Sequence, residues 1–153
     1  MIKVGDQAPH FSLLDTSKAQ VQLSDFQGQK LVIAFYPAAF TGVCKAELCS
    51  FQESLSQFNA LSAQVVGISV DGPFANGAFA SSNDIRFPLL SDYQRETVQA
   101  YGVLLENFAG MPGYTAAQRS VFIIDEAGTV SYAWVAENPG IEPNYAEVKA
   151  ALV

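Results

Sequence analysis

Leu31-Val32-Ile33-Ala34-Phe35-Tyr36-Pro37-Ala38-Ala39-Phe40-Thr41-Gly42-Val43-Cys44 reads as a strand, a turn and the start of a helix in immediate succession. The first six residues form an unbroken apolar run of strand length, as expected of a strand buried on both faces. Pro37 ends it. Thr41 is a candidate N-cap, whose side-chain oxygen can accept the N–H of residue 43 or 44. Cys44 then falls in the first helical turn, where unpaired N–H groups and the positive end of the helix dipole favour a nucleophilic thiolate. A small apolar side chain filling a core would suit the same position, and spacing alone leaves both readings open.

Apolar residues continue from Cys44 at steps of three and four, through Leu48, Phe51, Leu55, Phe58 and Leu61, with Glu47 on the same face. The spacing predicts one helix over residues 41–61, with Cys44 opening its buried side. Cys49 lies about 100° round from Leu48. Its neighbours at helical spacing are Gln52, Glu53, Ser56 and Gln57, which places it on the wetter flank, either as a working thiol or as an unused one.

Outward from this unit, residues 65–70 make a second buried strand, ended by Asp71-Gly72-Pro73. Residues 73–81 follow as a short helix with Pro in its first turn. Upstream, residues 11–14 and 21–23 are short strands around a polar turn. Downstream, 87–90 is a short strand expected to be irregular or at an edge because of Pro88. Residues 97–101 are helical, 106–118 a long loop, 121–124 and 129–135 a hairpin, and 145–152 a closing helix. A strand–helix–strand unit over 31–70 implies a right-handed parallel crossover. The order as a whole is that of an α/β layered sheet, a thioredoxin-like fold with an N-terminal β extension, read as a single domain over 1–153.

Half of the 153 residues are apolar and 15% are charged, the composition of a globular chain with a real core. The net charge of −7 and scattered Lys and Arg argue against nucleic acid or anionic membranes as partners. No apolar stretch reaches membrane-spanning length. The first six residues lack the apolar segment of a secretory leader, so a cytoplasmic location is expected. In a reducing compartment Cys44 and Cys49 suit catalysis or metal binding better than a structural disulfide. A zinc site is disfavoured because His10, the only histidine, is distant in sequence.

The pattern P-x-x-x-T-x-x-C over Pro37, Thr41 and Cys44 resembles the active-site signature of the peroxiredoxins. So do Cys44-x-x-Glu47, Arg119-Ser120-Val121-Phe122-Ile123-Ile124-Asp125 and the opening Gly5-Asp6-Gln7-Ala8-Pro9-His10-Phe11, where His10 stands in place of the common Asp. The resemblance implies a thiol peroxidase needing no metal or organic cofactor, with Cys44 as the nucleophile. Thr41 and the first-turn amides would bind the peroxide, Arg119 would hold the thiolate, Pro37 would shield the sulfur and Glu47 would orient Arg119. It further implies a peroxide substrate, a thioredoxin-like reductant and a monomer or homodimer. The Cys44-x4-Cys49 spacing resembles the bacterioferritin-comigratory, or Q-type, group, which carries its resolving cysteine five residues on. The residues around Cys44 are closer to the AhpE-like, often one-cysteine, group. A C-x-x-C dithiol oxidoreductase fits the spacing poorly. A silent thioredoxin-fold sensor or binding module would not call for Thr41, Glu47 and Arg119 together.

Overall fold

The computed structural model describes residues 2–153; Met1, the first residue of the terminus read above, lies outside them. The chain opens with the hairpin β1 (Ser12–Leu14) and β2 (Gln20–Gln22). Its core unit is β3 (Lys30–Phe35), α1 (Gly42–Glu53), α2 (Leu55–Ala60) and β4 (Ala63–Ser69), with β3 and β4 parallel as the crossover requires. Next come α3 (Pro73–Asn83), β5 (Leu89–Ser91) and α4 (Glu96–Ala100). A small hairpin, β6 (Leu104–Leu105) with β7 (Ala116–Ala117), precedes β8 (Ser120–Ile124), β9 (Val130–Val135) and α5 (Tyr145–Ala150). The described residues form one seven-stranded mixed sheet in the order β2-β1-β5-β4-β3-β8-β9, the expected thioredoxin-like arrangement with the β1–β2 extension added at one edge.

Strand alternation sorts the core into two layers. Leu31, Ile33 and Phe35 of β3 face one side of the sheet, with Val66, Ile68, Phe122 and the α4 residue Val98. Val32, Ala34 and Tyr36 face the other, against Leu48 and Phe51 of α1, Phe58 of α2, Phe79 of α3 and Val148 of α5. An uninterrupted apolar run is therefore what β3 needs, since both of its faces are covered. Gly67 lets the second layer close. A Cβ there would stand 2.8 Å from Leu89 Cδ2 and 3.1 Å from Tyr36 Cε1, inside van der Waals contact.

Three expectations are corrected. The helix over 41–61 is two helices, broken at Ser54 (φ −95°, ψ 3°), whose carbonyl accepts from both Gln57 and Phe58 and restarts the winding. The apolar periodicity runs across the break because Phe51 and Phe58 stack on each other in one core, their centroids 5.7 Å apart. The strand after Pro88 is interior rather than at an edge, lying between β1 and β4. Pro88 precedes the first ladder residue, so its missing N–H costs nothing, and its carbonyl accepts from Gly67 at 2.9 Å. The long loop over 106–118 is closed at its base by the β6–β7 ladder.

Candidate active site

Ladder register brings Arg119 to Cys44. Ser120 pairs with Phe35, so the residue before it stands beside the point where β3 leaves the sheet for the Pro37 turn. Arg119 is only 2% exposed, and each of its nitrogens is used. Nε donates to the Pro139 carbonyl at 3.0 Å, Nη1 to Glu47 Oε1 at 2.9 Å and Nη2 to Cys44 Sγ at 3.0 Å. Burial works against the guanidinium charge, but Glu47 and Cys44 more than offset it, and the Arg119 pKa lies above the ordinary arginine value. Cys44 is fully buried among Leu48, Phe51 and Tyr36. It is thus a core residue, as one reading of the sequence had it, but a core residue carrying a cation on its sulfur, which apolar packing does not require.

Thr41 stands at the N-cap with extended backbone (φ −92°, ψ 149°). The expected cap bond is replaced by another: Thr41 Oγ1 donates to the Ala38 carbonyl at 2.8 Å. The first-turn amides consequently lack a side-chain cap among the described residues, while the Thr41 oxygen keeps its lone pairs free to accept. Pro37 is buried at the start of this turn. Phe40 adopts a left-handed backbone (φ 66°), a strained choice for an aromatic residue, and packs edge-on against Phe79.

Glu47 is completely buried; one carboxylate oxygen holds Arg119, and Oε2 has no hydrogen-bond partner among the described residues. Burial pushes its carboxyl up from 4.5 to about 8, with Arg119 pulling the other way. Between those two values the folded protein keeps a proton that the unfolded chain has lost, so stability falls as pH rises through that window and levels off above it. Glu47→Gln retains an acceptor for Arg119 and cannot titrate. Urea unfolding at pH 5 and pH 8.5 is expected to show the variant gaining on the parent protein at the higher pH. A constant difference between the two would mean that burial does not raise this carboxyl.

Cys49 is half-buried and packs against the α1 side of the core, drier than its polar helix neighbours suggested. Both cysteines are free thiols. The structure therefore brings Cys44, Glu47 and Arg119 into direct contact, places Thr41 at the cap of the same helix and Pro37 at the start of the turn before it, and leaves Cys49 further along the helix. Two contacts at the site were invisible in the sequence reading: the Pro139 carbonyl on Arg119, and Asp71, which accepts the Ala39 N–H at 2.8 Å. Asp71 carried only a turn signal, and a backbone carbonyl carries none. His10, singled out for its departure from the motif, is exposed and lines a separate cavity of about 470 Å³ with Asp92 and Glu96; none of the Cys44 cluster lines it.

A sulfur held by a guanidinium at the first turn of a helix, on a thioredoxin-like sheet, has the electropositive surroundings of a candidate thiol nucleophile. The profile of the AhpC/TSA family matches residues 4–133. The chain is 41% identical over 145 residues to a putative peroxiredoxin of Synechocystis, covering 88% of this chain and 70% of that one. It is 35% identical over 131 residues to the peroxiredoxin Bcp of Escherichia coli, covering 86% and 84%. Among solved structures it resembles peroxidoxin BcpB of Mycobacterium tuberculosis, with a TM-score of 0.86 at 29% identity over 99% of this chain and 97% of that one. It also resembles a cysteine-to-serine mutant of PrxQ from Xylella fastidiosa, with a TM-score of 0.88 at 28% identity over 99% and 96%. The chain belongs to the AhpC/TSA family of peroxiredoxins and is a thiol-dependent peroxidase. Among the described residues, no helix is long and apolar enough to cross a membrane.

Proposed function

We propose that Cys44 is the peroxidatic nucleophile, acting on hydrogen peroxide and organic hydroperoxides, and that residues 1–153 work as one domain in the cytoplasm, as a monomer or homodimer. The observation that carries this reading is the 3.0 Å contact from Arg119 Nη2 to Cys44 Sγ. The thiolate attacks one peroxide oxygen in line with the O–O bond. That bond breaks, its electron pair goes to the departing oxygen, and a proton from solvent completes water or an alcohol. The sulfur is left as a sulfenic acid. Arg119 and the first-turn amides face the charge that develops on the oxygens. Thr41, its proton committed to Ala38, accepts from the peroxide O–H. Pro37 keeps bulk water from the sulfur, and Glu47 holds Arg119 in orientation.

Cys49 is assigned as the resolving thiol. It condenses with the sulfenic acid, forming the Cys44–Cys49 disulfide and releasing water, and an external dithiol of thioredoxin type then reduces the disulfide. In an intact helix residues five apart are separated by about 7.5 Å along the axis and about 140° around it. A disulfide needs Cα atoms within about 7 Å and converging Cβ vectors, so the first turns of α1 must open. The burial of Cys44 supports the same step, because a protein reductant cannot reach a sulfur with no exposed surface. One experiment tests both parts: peroxide consumption by reduced protein, followed by peptide mass spectrometry and hydrogen exchange over residues 42–55. Peroxide loss with a Cys44–Cys49 bond and lost protection is expected. Peroxide loss that leaves only Cys44 sulfenic acid, with protection intact, would instead make this a one-cysteine enzyme.

A further inference from the structure

We propose that Asp71 is a positioning residue for the peroxide-binding turn, fixing residues 37–41 through the Ala39 amide; the inference rests on the peroxidase reading above. Phe40 is held in a left-handed conformation immediately before Thr41, and such a residue persists only where its surroundings over-determine it. Inside the turn, Thr41 Oγ1 bonds to the Ala38 carbonyl. Besides the packing of Phe40 on Phe79, the turn is tied to the rest of the molecule by the Ala39 N–H on Asp71 Oδ2 at 2.8 Å. An amide on a carboxylate is a charge-assisted bond, roughly twice as strong as one between neutral groups.

Asp71 is itself held from behind. Ser69 Oγ donates to the same oxygen at 2.8 Å, and the Asp71 N–H donates to Ser69 Oγ at 3.2 Å. Asn76 Nδ2 reaches Ser69 Oγ at 3.2 Å and Ser91 Oγ at 3.3 Å, while Asn76 Oδ1 accepts from the Tyr36 hydroxyl at 2.6 Å. Tyr36, Ser69 and Asn76 have no exposed surface. The chain of bonds therefore leaves Tyr36, the residue just before the turn, crosses the buried ends of β4 and β5 and the first turn of α3, and returns to the turn's apex at Ala39. A buried polar network that is satisfied along its length rigidifies what it touches. What this one touches is the segment that aims the Thr41 oxygen and the first-turn amides at the substrate. Cys44 itself is held by Arg119, which makes no bond to this network, so Asp71 controls peroxide alignment and leaves the sulfur's own reactivity alone.

Two reagents separate these roles. Peroxide must be aligned by the turn, whereas iodoacetamide alkylates a sulfur without needing peroxide oxygens placed. Single-turnover peroxide reduction and Cys44 alkylation, the latter read at the peptide level, are compared across Asp71 variants. Misplacing a reacting group by about 1 Å costs on the order of 10²-fold in rate. Asp71→Ala is expected to lose peroxide rate on that scale with alkylation not slowed. Asp71→Asn, which keeps an acceptor oxygen for Ala39 and Ser69, is expected to recover most of it. If Asp71→Ala does not fold, Asp71→Glu, which keeps the charge but moves the carboxylate, carries the same expected loss. Equal losses towards both reagents would make Asp71 scaffold alone, and an unchanged peroxide rate in the Ala or Glu variant would overturn the proposal. If unmodified protein consumes no peroxide, the peroxidase reading fails first, before any variant is compared.

Discussion

Cys44→Ser is expected to abolish peroxide reduction while leaving the fold in place. Serine matches cysteine closely in shape, so the core around Leu48 and Phe51 loses little contact, and Arg119 keeps an acceptor at that position. The chemistry has no such substitute. A serine hydroxyl is a weak nucleophile unless a base takes its proton. Here the neighbouring group is a guanidinium that already donates, and the Glu47 carboxylate is engaged with Arg119. Stopped-flow single turnover with hydrogen peroxide, with circular dichroism as the fold control, gives the answer. A wild-type rate in Cys44→Ser would remove this cysteine from the mechanism.

Arg119→Ala is expected to produce the second-largest loss, through two separable effects. Deleting a positioned donor to a developing oxyanion costs on the order of 10²-fold in rate. Deleting one partner of a buried pair of this kind destabilises by about 3–5 kcal/mol, because the Glu47 carboxyl left behind stays buried without its partner and has to hold a proton that the unfolded chain releases. The double variant Arg119→Ala/Glu47→Gln tells the two apart. Removing the stranded carboxyl is expected to restore stability, measured by urea unfolding at pH 8.5, without restoring the rate. Arg119→Lys keeps a charge but not the planar fork that reaches Pro139, Glu47 and Cys44 at once, so partial stability with a slow rate is expected. A normal single-turnover rate in Arg119→Ala would place the residue outside the site.

The parts legible in the sequence were those written in local pattern. β3 follows from an apolar run, and the depth of Cys44 from a Thr three residues earlier and Phe51 seven residues later. Arg119 was visible because it opens another apolar strand with a resembling motif, although that strand's register against β3 belongs to the fold. What was not legible depends on partners distant in sequence. The break at Ser54 leaves no trace because the apolar face continues through it to Phe58. β5 was misplaced because Pro88 was read as the mark of an irregular or edge strand, when it stands just outside the ladder. The direction of the Thr41 hydroxyl is set by the Ala38 carbonyl, which has no side-chain signature. Asp71 looked like turn punctuation until β4 and β3 were placed side by side.

The register that sets Arg119 against the end of β3 has a consequence for how this chain can vary in length. The arginine's position is fixed by strand pairing across the sheet and not by the path the chain takes to reach it. The tip between β6 and β7 contains Gly110 and Gly113, both with positive φ, and exposed Met111, and a two-rung ladder closes it at its base. Doubling the length of such a loop costs only about 0.6 kcal/mol in closure entropy. Insertions there, whether from drift or from grafting a peptide, lengthen an outlying arm while the catalytic spacing stays where the sheet has put it.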